Sequence, residues 1–172
     1  MNKPAKKGFT LIELLVVISI ISLLATLAVT SLQNARIKSR MTRRAADLRQ
    51  IRTALELYYD NNGGYPTASS WRSECNAWGG FTSDNVIPGL VPTYMGKFPT
   101  DPAMDKTGNR SCYIYYSNGT DYKVLDHDIA DGNYQNQPSL IDPYRDGGGY
   151  DCIVNGTGIW SWAIYSPGGC GW

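Results

Sequence analysis

One acidic residue stands inside a long apolar run near the start of the chain. Glu13 is followed by 22 residues, Leu14 to Ala35, that carry no charge. A carboxylate in a membrane-like setting costs about 2.5–3.5 kcal/mol on insertion scales, so an acid placed there is expected to have a function and a positively charged partner. The chemistry that this position predicts is charge pairing at low dielectric.

The other residues that could do chemistry lie in the second half of the chain. Four cysteines are separated by 37, 40 and 18 residues, which does not fit the ligand spacing of zinc sites. They allow three disulfide connectivities, with free buried thiols as the alternative. His127 is the single histidine, and one histidine in a turn-rich stretch supports no catalytic triad or dyad. The cysteines are Cys75, Cys112, Cys152 and Cys170.

Aspartates crowd the region after residue 125, and oxygen ligands at this density are of the kind that Ca²⁺ prefers. Their spacing does not match a D-x-D-x-D-G loop with a downstream Glu, and Asp-Gly turns explain most of them equally well. The sequence therefore predicts no cofactor, with calcium as the alternative. The six candidates are Asp126, Asp128, Asp131, Asp142, Asp146 and Asp151.

The element that positions Glu13 is predicted to be a long helix. No Gly or Pro occurs from Phe9 to Asn62, and the apolar run is long enough to span a bilayer. Beyond the run, apolar residues recur every three or four positions, which predicts one face of a helix with arginines on the other faces. Asn, Gly and Pro after Tyr59 predict the helix end. The face comprises Ile37, Met41, Ala45, Leu48, Ile51, Leu55 and Tyr58.

Charge is distributed unevenly although the net charge is only +1. Residues 36–52 hold seven basic residues against one acid, whereas residues from 61 onward hold six basic and eleven acidic residues. A small net charge excludes a polycation that coats nucleic acid. No motif that reads bases accompanies the basic stretch, so no direct contact with nucleic acid is expected.

The region after Gly63 is predicted to hold a small antiparallel sheet. Cys112–Tyr116 and Asp121–Leu125 flank an Asn-Gly turn, the strongest short signal for a hairpin, and Ile159–Tyr165 is a third strand rich in β-formers. The segment opening at Tyr65 is predicted to be irregular. We expect the core to use Trp160 or Trp162, together with Tyr113, Tyr115, Val124, Ile164 and the apolar face of the helix.

The N-terminal segment resembles the prepilin motif of type IV pilins and type II secretion pseudopilins. Lys6 and Lys7 precede Gly8, and then come Phe9, three residues, Glu13 and the long apolar helix. The resemblance is close over about residues 3–35, and a looser resemblance to the family's long helix continues to Pro66. Beyond Pro66, only the general plan of helix, loop, small antiparallel sheet and cysteine-bearing tail is similar. It implies that a membrane-embedded prepilin peptidase cuts between Gly8 and Phe9 and N-methylates Phe9. Glu13 would then pair with the Phe9 amine of a neighbouring subunit and set the axial register.

The resemblance also bears on the cysteines and aspartates. An extracytoplasmic head with four cysteines suggests two disulfides, and of the three connectivities we favour Cys75–Cys112 with Cys152–Cys170. Major pseudopilins are known for calcium in a C-terminal loop, which keeps the calcium alternative open.

These observations predict an α+β pilin fold in four segments: a basic leader (1–8), a transmembrane and filament-core helix (9–35), its amphipathic continuation (36–62) and a disulfide-bearing head (63–172). The predicted function is a non-enzymatic subunit of a type IV pilus serving adhesion, motility or DNA uptake. It would be a homo-oligomer, anchored in the inner membrane as a precursor and handled by pilus assembly machinery. The alternatives are a periplasmic type II secretion pseudopilin and a membrane-anchored carbohydrate-binding module.

Overall fold

The computed structural model describes residues 8–132, 137–158 and 160–172. Leader residues 1–7 therefore lie outside the described residues. The same is true of Ile159, the first residue of the predicted third strand.

A single helix, α1, runs from Leu11 to Asn62. It confirms the helix predicted from the absence of Gly and Pro, with ends shifted by two or three residues. The helix stops where Gly63 takes a positive φ of 72°, and the Gly63 N–H donates to the Tyr59 carbonyl at 2.8 Å. Glycine adopts this left-handed end conformation without strain. The chain forms two compact units, one up to Ser39 and one comprising Arg40–Trp172, and α1 contributes to both.

The second unit contains a four-stranded antiparallel sheet in the order β1-β2-β3-β4. Its strands are β1 (Ala68–Ser73), β2 (Cys112–Ser117), β3 (Tyr122–His127) and β4 (Trp162–Tyr165). The predicted hairpin is confirmed as β2 and β3. Asn118 holds its turn, because its side-chain oxygen accepts the N–H groups of Thr120 and Asp121 at 2.9 and 2.8 Å. The expected α+β arrangement of the pilin fold is thus observed.

Strand β1 corrects the prediction of an irregular segment after Tyr65. Its sequence, ASSWRS, has no alternation of apolar and polar residues, so it carries little strand signal of its own. The strand forms because it pairs with β2, and the register between Ala68 and Arg72 is irregular. Pairing with a neighbour, rather than local propensity, decides its conformation.

The two faces of the sheet bury different sets of residues. One face meets the helix within the Arg40–Trp172 unit, where the Tyr113 hydroxyl donates to Asp47 at 3.0 Å. The predicted core is confirmed there, with Trp162 buried and Trp160 partly exposed. The other face carries a cluster around the Cys75–Cys112 disulfide, against which Trp71 and Trp78 pack. The buried core residues of the helix-facing side are Tyr113, Tyr115, Val124, Trp162 and Ile164.

One arginine departs from the expectation that all arginines lie on the polar faces of the helix. Arg44 is fully buried, on the same face as Met41, Ala45 and Leu48. At position 44 it follows Met41 by three residues and precedes Leu48 by four, which is the spacing of the apolar face itself. Its charge therefore needs buried partners, and these are described below.

Candidate assembly site and the buried charges of the head

The first turn of α1 places Glu13 in a reciprocal hydrogen-bonded cap. The Thr10 N–H and hydroxyl donate to Glu13 Oε2 at 2.8 and 2.6 Å, and the Glu13 N–H is 3.3 Å from the Thr10 hydroxyl. This is the capping box, in which Ser or Thr precedes the helix and Glu follows three residues later. The pattern Thr10-x-x-Glu13 is legible in the sequence, so Glu13 caps the helix within one chain as well as being an acid in need of a cation.

The apolar part of α1 presents a continuous apolar surface. Its large side chains from Leu11 to Leu32 are all exposed, and this helix is long and apolar enough to cross a membrane. Four of its hydroxyl groups donate within the helix: Ser19 and Ser22 donate to the carbonyls of Leu15 and Ile18 at 2.8 and 2.7 Å. Thr26 and Thr30 bond in the same way to carbonyls three residues earlier. Such internal bonds let polar side chains lie in an apolar medium.

The residues at the predicted processing site lie just before this helix. Gly8 has no heavy atom near the position that a Cβ would occupy, and Phe9 is exposed. In the described residues, Glu13 is bonded to Thr10, so the structure does not itself bring a cation to Glu13.

Within the head, Arg44 lies among three aspartates that are distant in sequence. Its Nε donates to Asp101 at 2.5 Å and its Nη1 to Asp131 at 2.7 Å, and Asp126 lies 3.6 Å from Nε. Arg40 adds a second cation by donating to Asp131 from Nε at 2.8 Å. Two arginines thus face three carboxyl groups, which link the helix to the sheet and to two loops.

Asp126 is the member of this cluster that lacks a hydrogen bond. It is fully buried, and within the described part of the chain neither of its side-chain oxygens accepts one. Burial, and then the nearby Asp101, raise the pKa of Asp126 well above its usual range. The opposite holds for Asp131, whose pKa is lowered, chiefly by its hydrogen bond from Arg40. We conclude that Asp126 is the group of this cluster that favours its neutral form.

A second buried ion pair lies on the other face of the sheet. Lys123 Nζ is 2.8 Å from Asp142 and donates to the carbonyls of Cys170 and Trp172 at 2.7 and 2.8 Å. Arg145 joins the same group by donating to Asp142 at 2.9 Å and to the Trp172 carbonyl at 2.7 Å. Burial lowers the pKa of Lys123 to about 8. The pair fastens the C-terminal segment onto the sheet.

The six calcium candidates are not gathered into one site. Asp126 and Asp131 face Arg44, Asp142 faces Lys123, and Asp128 accepts from Arg110 at 2.8 Å. Asp146 and Asp151 accept backbone N–H groups of their own loop. Among residues 8–132, 137–158 and 160–172, no group of three or more acidic, histidine or cysteine side chains is arranged to hold a metal. The reason is that basic side chains or loop N–H groups already pair with these carboxyl groups, although Asp126 is paired only at 3.6 Å and without a hydrogen bond among the described residues.

The four cysteines form two disulfides in the structure. Cys75 bonds Cys112 across 37 residues, and Cys152 bonds Cys170 across 18 residues. These are the pairs favoured from the sequence. The first is buried between β2 and the short turn that follows β1, and the second closes the C-terminal loop.

Comparison with known proteins agrees with this arrangement. Residues 3–29 match a family described as the prokaryotic N-terminal methylation motif. The chain is 30% identical over 145 residues to the type II secretion system core protein G of Pseudomonas aeruginosa, covering 79% of this chain and all of that protein. The corresponding protein of Escherichia coli K12 is 30% identical over 129 residues, covering 67% and 83%.

A fimbrial relative matches a shorter stretch of the chain. The type IV major fimbrial protein FimA of Dichelobacter nodosus is 44% identical over 54 residues, which are 31% of this chain and 35% of that protein. No solved structure matches. The chain belongs to the family of type IV pilins and type II secretion pseudopilins, and the resemblance read from the N-terminal motif is confirmed.

Proposed function

We propose that this protein is a structural subunit of a type IV pilus or a related filament, and that it works without catalysis. The observation that carries the proposal is the exposed apolar surface of α1 from Leu11 to Leu32. Apolar surface of this extent has to be covered by lipid or by other helices. Lipid covers it while the precursor is anchored in the inner membrane, and the helices of neighbouring copies cover it after assembly.

The proposed processing step makes the subunit competent for assembly. Cleavage between Gly8 and Phe9 by prepilin peptidase removes three lysines and creates a new amino group at Phe9, which the peptidase then methylates. That amine and Glu13 are opposite charges in an apolar setting, and each needs a counter-charge. We propose that the amine of one subunit pairs with Glu13 of the next and sets the axial register.

A type II secretion pseudopilin is the second candidate, and one observation favours it. The match to core protein G extends over all of that relative, whereas the match to FimA covers about a third of it. The two disulfides favour the surface pilus instead. Both candidates share the same N-terminal chemistry.

The experiment that tests the proposal compares sheared surface material from cells with and without prepilin peptidase. Electron microscopy and N-terminal sequencing should show filaments that begin at methylated Phe9 in the first cells only. An intact Met1 in cells that contain the peptidase would overturn the processing step. Deleting the gene separates the candidates, because loss of surface fibres supports the pilus and loss of secreted proteins from the medium supports the pseudopilus.

A further inference from the structure

A cavity in the C-terminal part of the head takes no part in the proposed assembly. Its volume is about 310 Å³, at the lower end of the range for small-molecule sites. None of the lining residues that the structure describes belongs to α1 or to a strand. The cavity is lined by Tyr144, Arg145, Gly147, Gly149, Tyr150 and Trp160.

The walls of this cavity are fixed by interactions outside it. The carboxylate of Asp146 accepts the N–H groups of Gly148, Asn155 and Gly156 at 2.8, 2.8 and 2.9 Å, which ties the two sides of the loop together. Gly147 has a positive φ of 82°, and a Cβ there would come within 3.2 Å of the Gly158 backbone. A side chain at Gly147 would therefore push the two sides of the loop apart.

The side chains on the walls are held in the same way. Arg145 is fixed by Asp142 and the Trp172 carbonyl, and Trp160 packs edge-on against His127 with ring centroids 5.0 Å apart. Arg145 and Trp160 are thus positioned before any ligand binds, which reduces the entropy lost on binding.

The lining combines aromatic faces with hydrogen-bond donors. The rings of Tyr144 and Tyr150 are 5.2 Å apart and tilted by 51°, and Tyr150 is 86% exposed. Arg145 supplies a guanidinium whose charge is balanced by Asp142, and none of the described lining residues is acidic. An amphipathic ligand with a flat apolar face and a polar rim fits this lining. A free cation does not fit, because the described lining residues offer it no carboxylate ligand.

A pyranose sugar has both features, since its C–H groups form an apolar face and its hydroxyl groups surround the ring. We propose that this cavity binds a pyranose unit of a carbohydrate, which stacks on Tyr150 and Trp160 and accepts hydrogen bonds from Arg145. The proposal requires neither filament formation nor processing, so it can fail or succeed independently of the proposed function.

The test uses the full-length chain in a detergent that has no sugar headgroup. The probes are the methyl glycosides of glucose, galactose, mannose, N-acetylglucosamine and N-acetylgalactosamine, observed by saturation-transfer NMR and titrated by tryptophan fluorescence. At least one should bind. The Tyr150→Ala variant should weaken that binding at least about tenfold, because the stacking face is lost.

Two matched variants separate stacking from general damage. Tyr150→Phe keeps the ring and should bind within about twofold of the unaltered chain. Ile153→Ala truncates another exposed side chain of the same loop outside the lining, and it should have no effect. Near-ultraviolet circular dichroism checks that the head stays folded. The proposal is overturned if no glycoside binds at about 10 mM, or if Tyr150→Ala binds as well as the unaltered chain.

Discussion

Arg44 and Asp126 are buried in the same charged cluster of the head, but they differ in how well their charges are satisfied. Arg44 satisfies two carboxylates directly, while Asp126 lies 3.6 Å away without a hydrogen bond among the described residues. Removing the cation and removing the poorly satisfied acid should therefore have opposite effects on stability.

We expect Arg44→Met to lower the free energy of unfolding of the head by about 3–5 kcal/mol, because it leaves buried carboxylates without their cation. Thermal unfolding of the full-length chain, followed by near-ultraviolet circular dichroism, measures this loss. Arg43→Met on the exposed side of the same turn is the control and should change stability by less than about 1 kcal/mol. Equal effects of the two variants would contradict the buried network.

We expect Asp126→Asn to remove a pH dependence. Because the pKa of Asp126 is raised in the folded state, its stabilising contribution is complete below about pH 4 and is lost as pH rises through the raised pKa. The asparagine variant cannot ionise. The difference in unfolding free energy, variant minus unaltered chain, should therefore grow by more than about 1 kcal/mol between pH 4 and pH 7.

The measurement is a set of unfolding curves for both proteins across that range. Asp47, whose pKa is raised, and His127, whose pKa is lowered, also titrate, but both do so in each protein and largely cancel in the difference. A difference that does not change with pH would contradict a raised pKa at Asp126.

At the scale of the elements, the two disulfides should contribute unequally. Loop-closure entropy gives about 3 kcal/mol for the 18-residue loop of Cys152–Cys170 and about 4 kcal/mol for the 37-residue loop of Cys75–Cys112. The Cys75–Cys112 pair also lies in the buried cluster on the sheet. We expect Cys152→Ser with Cys170→Ser to lower the melting temperature by about 10 °C.

The matched double variant, Cys75→Ser with Cys112→Ser, should lower the melting temperature further. Calorimetry of the full-length chain gives both values. If the C-terminal pair proved the more costly to remove, the interpretation of the Cys75–Cys112 pair as part of the core would be wrong.

The secondary-structure elements that could be predicted from the sequence are those with a strong local signal. Helix α1 and the β2–β3 hairpin have strong local signals, namely the absence of Gly and Pro and an Asn-Gly turn, and both were predicted. Strand β1 has no such signal, because pairing with β2 determines it. The capping box at Thr10 and Glu13 also has a local sequence signal, a Thr followed three residues later by a Glu.

The pairing partners of the buried charged side chains could not be predicted from local sequence signals. Asp101 and Asp131 follow Arg44 by 57 and 87 positions, so only the folded chain shows that they meet. For the same reason, the aspartates that suggested calcium could not be recognised as partners of Arg44, Lys123 and Arg110.

At the scale of the whole molecule, the N-terminal end of α1 determines how neighbouring copies would assemble. The exposed apolar surface requires a cover, but Glu13 determines whether neighbouring copies align in register. Within one chain, Glu13 accepts hydrogen bonds from Thr10, and a glutamine can accept the same bonds without the charge. The Glu13→Gln replacement therefore distinguishes a role of Glu13 in capping its own helix from a role in pairing with the amine of a neighbouring copy.

The most direct measurement is the yield of sheared filaments from cells that express Glu13→Gln, beside Thr10→Ala, which weakens the cap but keeps the charge. We predict that Glu13→Gln is inserted in the membrane yet loses filaments at least about tenfold, while Thr10→Ala still assembles. Filaments of normal yield and length from Glu13→Gln would contradict the charge pairing on which the proposed assembly rests.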